Sequence, residues 1–223
     1  MTLASFVSIE SKVHFIWTQC CYSSDRSVAA KAVQLLVQLV VISSRQDPAS
    51  SSALPDLSQD AALAVESLIL TLCLTEKVDE KQLKIALASA VQLNHIASPD
   101  VSTAMVDCLT RLMLQSSGST LVLLCQALAA VGDSQPSAIV PALVDIMMML
   151  KKLVGQSDQE AQAIPLLCVL MFQTHTSHCW SQQASEVVND AIRRVDYWVA
   201  FRIARSASRC DLINLLILLF LIT

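Results

Sequence analysis

The stretch SPDVSTAMVDCLTRLMLQSSGSTLVLLCQALAAVG, residues 98–132, decides the fold. Ser98 followed by Pro99 and Asp100 marks a helix start, because Pro in the first turn gives up an amide that has no intrahelical partner anyway. That helix runs to about Gln115. Residues 115–119, with Gly118 among serines, break it, and a second helix runs from Thr120 to Val131. Gly132 then stands where a left-handed cap is favoured. A helix, a brief polar break and a return helix make the building unit of an all-α protein.

Outward from this pair the same pattern recurs. Ser27 can cap a helix to about Ser43 whose inward face reads Val28, Ala32, Leu35, Leu36 and Leu39. Residues 44–56, with Pro48 and Pro55, form the longest loop. Ser58 or Asp56 opens a helix through Leu74 with the stripe Ala61, Val65, Leu68 and Leu72, and Asp79 caps the next, through Ile96, with Leu83, Ala86, Leu87, Ala90 and Val91 inward. Ser137 caps a helix to Val154 that has Pro141 in its first turn and is stopped by Gly155. Ser157 with Glu160 is a capping box for a helix to about Gln173, kinked at Pro165. After a polar loop, helices follow over about 181–195 and 196–210. Paired as helix and return helix, units begin near residues 27, 79, 120 and 157, and all steps but the first are close to the roughly 40 residues of HEAT and armadillo repeats. A compact bundle would share the periodicity, but many short helices with short turns stack more naturally in a line. The expected fold is all-α, a HEAT/armadillo-like α-solenoid of stacked helical pairs.

Composition agrees. Of 223 residues, 54% are apolar, 15% charged and 4% aromatic, and only 3 are Gly where average usage gives about fifteen. Disorder and collagen are excluded, and β-sandwiches, barrels and Gly-rich phosphate loops lack their turn and strand formers. A net charge of −4 supplies no global basic field, so direct specific nucleic-acid binding is not expected. A mean hydropathy of +0.54 raises the question of membrane spans, yet every long apolar run is interrupted, residues 28–42 by Lys31, Gln34 and Gln38. The run 212–222 is too short to span. No basic region precedes an apolar stretch at the N-terminus, which points to an intracellular chain. Its 8 cysteines are scattered, mostly among Leu, Val and Met, the setting of reduced core thiols.

Chemistry-bearing motifs are sparse. His175, His178 and Cys179 follow Cys168, but no second close-spaced ligand pair completes a tetrahedral zinc site, and a zinc or thiol enzyme built on them is the weaker reading. No nucleophile elbow or phosphate loop occurs, so no catalytic residue, metal or cofactor is expected. The last helix is more informative. Projected at 100° per residue, Arg194, Trp198, Arg202, Arg205 and Arg209 gather on one face while Val199, Ile203 and Ala207 recur on another. This is either a solvated basic face with Trp198 held between Arg194 and Arg202 by cation–π packing, or an Arg/Trp contact for an acidic partner.

Several phrases in order carry a family resemblance: QCCYSSDRSVAAKAVQLL (19–36), DAALAVESLIL (60–70), LKIALASAVQL (83–93), LCQALAAV (124–131) and, most specific, YWVAFRIARSASR (197–209). Together they resemble the middle region of the Integrator complex subunit seven family. The resemblance implies a non-catalytic helical-repeat scaffold in a nuclear assembly that processes small nuclear RNA 3′ ends and attenuates RNA polymerase II transcription. Its partners would be other Integrator subunits, with the polymerase engaged indirectly. A generic HEAT/armadillo adaptor in cytoplasmic interaction or transport is the alternative. The chain divides accordingly into a weakly matching segment 1–16, a helical-repeat region 17–210 and a divergent apolar tail 211–223. The tail carries no charge beyond Leu212 and is expected to drive self-association, so deletion after Arg209 should improve solubility.

Overall fold

The computed structural model describes residues 19–45, 57–75, 78–154, 158–176, 181–210 and 212. Among the described residues the chain is helical, with no strand. In order these are α1 (Arg26–Ser44), α2 (Ser58–Cys73), α3 (Glu80–Asn94), α4 (Pro99–Gln115), α5 (Gly118–Ser134), the short α6 (Pro136–Ile139), α7 (Leu143–Leu153), the short α8 (Asp158–Ala161), α9 (Ala163–Gln173), α10 (Gln182–Arg194) and α11 (Tyr197–Arg209). The polypeptide falls into two compact units, Met1–Met105 and Val106–Thr223.

In the first unit α1, α2 and α3 pack against one another. Val33, Leu36, Val37, Leu68, Ile69, Leu72, Leu83, Ala86 and Ala90 interlock there with little or no exposure. In the second unit α9 lies at the centre, against α5, α7 and α11, while α10 packs on α7 and α11. Its sequence AIPLLCVLMFQ is apolar all round, the pattern of a helix buried on every side. The order of packing is that of a helical repeat: first helices of successive pairs stack on one another, α1 on α3, α5 on α9 and α9 on α11, and second helices likewise, α7 on α10. The all-α class and the stacked pairs expected from the sequence are therefore present, consistent with an α-solenoid.

Of the caps read from the sequence, Asp79 holds and Ser137 does not, since that helix begins at Pro136 with Gln135 ahead of it and no side-chain capping hydrogen bond at its start. The Asp79 carboxylate accepts from the amides of Lys81 (3.1 Å) and Gln82 (3.2 Å), and the Ser181 hydroxyl accepts from Ala184 (3.1 Å). Pro99 is the first residue of α4. Helix α1, however, is capped two residues earlier than expected, by Asp25, which accepts from Ser27 (2.8 Å) and Val28 (3.2 Å).

Four expectations are corrected. Val28 and Leu35 face solvent, not the core, and with Ile42 they form an exposed apolar line along α1 at seven-residue spacing. Helix α1 is long and apolar enough to cross a membrane by length and composition, but its other side is buried against α2 and α3. Pro165 does not kink one helix; the helix breaks at Gln162, which puts Pro165 in the first turn of α9 and spares a ring clash with the carbonyl of residue 161. Pro141 does the same in milder form, since a 3-10 turn over Val140–Ala142 separates α6 from α7. Gly132 is not a left-handed cap but a buried residue inside α5, and the glycine with positive φ is Gly118, at +57°, where α5 begins.

Two side chains tie the second unit together across the stack. Glu160 accepts the Gly118 amide at 3.2 Å, so it satisfies one of the unpaired N–H groups at the start of α5 instead of its own helix end. Ser157, its expected capping partner, lies outside the described residues. Gln173, at the end of α9, donates its Nε2 to the Ala129 carbonyl of α5 at 2.9 Å.

Candidate interaction surface

The surface is built by α10 and α11. Asp196 starts α11, its carboxylate accepting from the amides of Trp198 (2.7 Å) and Val199 (3.0 Å). Val199, Ile203 and Ala207 then turn inward toward α9, as the wheel anticipated. Trp198, Arg202, Arg205 and Arg209 all lie on the opposite, exposed side of the helix.

Arg194 does not belong with them. Val195 and Asp196 are extended, with ψ of 162° and 164°, so the turn of 100° per residue does not carry from α10 into α11. Its guanidinium Nε is instead 2.8 Å from Asp190 Oδ1, one turn back along α10. Nor is Trp198 held between arginines. Its recorded partners are rings: Tyr197, with centroids 6.4 Å apart at 69°, and Phe201, 6.1 Å apart at 88°, both edge to face. Tyr197, Trp198 and Phe201 are 79%, 71% and 48% exposed, an aromatic cluster that the sequence reading did not single out. The available signal was their spacing, since positions 197, 198 and 201 avoid the 199–203–207 stripe and so stand on the outer face.

The described acids of α10 and of the turn into α11 make contacts of their own. Glu186 accepts from Gln182 Nε2 at 2.9 Å, Asp190 holds Arg194, and Asp196 caps α11. Helix α11 itself contains three arginines and no acid. Among the described residues no ion pair engages Arg202, Arg205 or Arg209, so a local positive edge persists on a chain of net charge −4.

The other candidate site offers less. His178 and Cys179 lie outside the described residues. His175 is partly buried in a 3-10 turn, with Nδ1 enclosed and without a hydrogen-bond partner among the described residues. Cys168 is packed inside α9, and burial pushes its thiol up to about 12, as it does for Cys125 in α5. Both are thiols at neutral pH and not thiolate nucleophiles or ligands. Among the described residues no three His, Cys, Asp or Glu side chains lie close enough to share a metal ion. A shallow depression beside the end of α3, lined by Leu93, Ala97, Val101 and Met105, has no room for a bound small molecule.

Stacked helix pairs with an apolar interior define an α-helical repeat protein. The family follows from comparison: a family model described as Integrator complex subunit 7, N-terminal, matches residues 2–212, and the chain belongs to that family. The match is thus to the family's N-terminal region and not its middle. Proteins named Integrator complex subunit 7 from Danio rerio (28% identical over 194 residues), Mus musculus and Homo sapiens (each 30% over 196) align with 86% of this chain. The aligned region is 19% of each relative, so the chain spans about a fifth of the length of the curated relatives it matches. Among solved structures, a crystal structure of an engineered protein superposes over 92% of this chain and 87% of its own with 15% identity and a TM-score of 0.43, below the level at which likeness defines a fold.

Proposed function

We propose that this chain is a non-catalytic scaffold in the Integrator assembly. In this reading it acts in the nucleus, holds other Integrator subunits in place, and contributes through them to small nuclear RNA 3′-end processing and to attenuation of RNA polymerase II. The observation that carries the reading is the family match across residues 2–212. The surface supports it: Trp198, Arg202, Arg205 and Arg209 form an exposed outer face of the residue types that dominate protein interfaces, on a helix that carries no acid. Such a face suits an acidic protein surface. The test is affinity purification of the tagged chain from nuclear extract. Recovery of other Integrator subunits is the expected result; recovery of vesicle-coat or karyopherin proteins without them would replace this reading with that of a cytoplasmic adaptor.

A further inference from the structure

We infer that the outer face of α11 is a docking site for a short acidic segment with apolar anchor residues, contributed by another polypeptide. The aromatic cluster Tyr197–Trp198–Phe201 would supply the anchor site, and Arg202, Arg205 and Arg209 the charge. The inference rests on the scaffold reading and adds the chemistry of the partner.

Three observations carry it. The first is exposure of three adjoining aromatic rings beside each other on one helix face, where each would lose water-facing apolar area on contact. The second is charge. The arginines follow the rings along the exposed side of the same helix at positions 202, 205 and 209, no described acid pairs with them, and α11 itself carries no acid. The complementary partner therefore brings carboxylates. The third is length: the 13 residues of α11 extend about 18 Å, room for a three-turn helix or for half a dozen residues of extended chain. The partner's apolar side chains meet the rings at the N-terminal half of α11, and its carboxylates meet the arginines toward the C-terminal half.

Single-stranded RNA is the other polymer that uses aromatic rings with arginines, by stacking successive bases on ring faces. Here the rings stand at 69° and 88° to one another, which blocks a continuous row of parallel faces. The negative chain as a whole also repels a polyanion, whereas a short segment meets only the local positive edge.

The experiment is fluorescence anisotropy with the full chain and four labelled probes: a peptide alternating Asp-Asp with Leu-Phe, its Lys-Lys counterpart, a plain polyglutamate and an oligouridylate. The Asp/Leu/Phe peptide should bind, the Lys version should not, and polyglutamate should bind at least about tenfold more weakly than the first. W198A with F201A, and separately R205E, should each weaken the first peptide by about tenfold or more while circular dichroism stays unchanged. Equal binding of polyglutamate, indifference to W198A with F201A, failure of the Asp/Leu/Phe peptide to bind, or tighter binding of oligouridylate would each overturn the inference. Those failures leave the scaffold reading to its own test, because recovery of Integrator subunits from nuclear extract does not depend on these probes.

Discussion

The carboxamide of Gln173 rests directly on the Cα of Gly132. A side-chain carbon built on that glycine would collide with Gln173 Oε1 and come within 3.2 Å of Ile139, while Gln173 Nε2 reaches past it to the Ala129 carbonyl at 2.9 Å. The small residue in α5 is thus what lets α9 draw close. Gly132→Ala should lower stability by about 1 kcal/mol in the parent chain, despite the gain of about 1 kcal/mol that Ala brings to a helix interior, because Gln173 must move aside and its hydrogen bond to the Ala129 carbonyl is lost. Combined with Gln173→Ala, the same substitution should become neutral or stabilising. Urea unfolding of the four chains measures this coupling, and simple additivity would refute it.

Neighbouring leucines in α1 give a sharper contrast. Leu36 is fully buried and Leu35 is 44% exposed, although a hydrophobic tally makes them equivalent. Leu36→Ala should cost about 2 to 4 kcal/mol and Leu35→Ala under about 1. Thermal or urea unfolding would show it, and similar losses for the two would mean that the face of α1 is misassigned.

What was legible in the sequence was what is local. Asp79 caps α3 through a carboxylate that meets amides two and three residues on, and Pro99 opens α4; neither feature needs a tertiary partner. The inward stripes of α2 and most of α3 were legible too, because Ala61, Val65, Leu68 and Leu72 recur at three- and four-residue spacing. Leu35 was not, since α1 is apolar over more of its circumference than its neighbours cover. Gly132 was not either: its role depends on Gln173, forty-one residues on in sequence. The arginines of α11 were found by projection, but the projection ran through the extended residues Val195 and Asp196 and so included Arg194. Tyr197 and Phe201 were not legible as a cluster, because their edge-to-face contacts with Trp198 depend on rotamers that spacing alone does not set.

The entry to α5 depends on both Gly118 and Glu160. With φ at +57°, Gly118→Ala should lose about 1 kcal/mol although the space around it is open, because the cost lies in the backbone and not in packing. Glu160→Ala should lose about the same by leaving the Gly118 amide without its 3.2 Å acceptor. Denaturant midpoints of the two variants test both; an unchanged midpoint for Gly118→Ala would contradict the left-handed assignment.

The end of α11 is closed by Leu212. Its amide donates to the Ala207 carbonyl at 3.1 Å, a six-to-one bond of the kind that finishes a helix, and its side chain is buried. Truncation after Leu212 should therefore keep α11 intact, whereas truncation after Arg209 should destabilise it by about 1 kcal/mol. Residues 213–223, whose removal the sequence reading tied to solubility, lie outside the described residues. Hydrogen exchange at the last turn of α11 separates the two truncations, and equal protection in both would show that Leu212 contributes nothing.

Cys125 and Cys168 set an alkaline limit. Burial holds both thiols up to about 12, above the ordinary value of 9.0, so between these pH values the unfolded chain binds fewer protons than the folded one. Stability should accordingly be unaffected below about pH 8 and fall above about pH 9, by up to roughly 1 kcal/mol per pH unit for each thiol. Urea unfolding from pH 7 to 10.5 measures the slope. Replacing both cysteines with Ala should reduce it, the remainder coming from Cys21 and Cys73, whose thiols burial also raises, and an unchanged slope would locate the effect elsewhere.

The central claim is that this helical-repeat chain holds Integrator subunits through the outer face of α11. Its most direct test is quantitative mass spectrometry of tagged chain purified from nuclear extract, parent against Arg202/Arg205/Arg209→Glu and Arg202/Arg205/Arg209→Lys. The account expects Integrator subunits with the parent, partial recovery with the Lys variant and loss of at least one subunit with the Glu variant, at unchanged helical content. Equal recovery by all three chains, or no Integrator subunit with any of them, would contradict it.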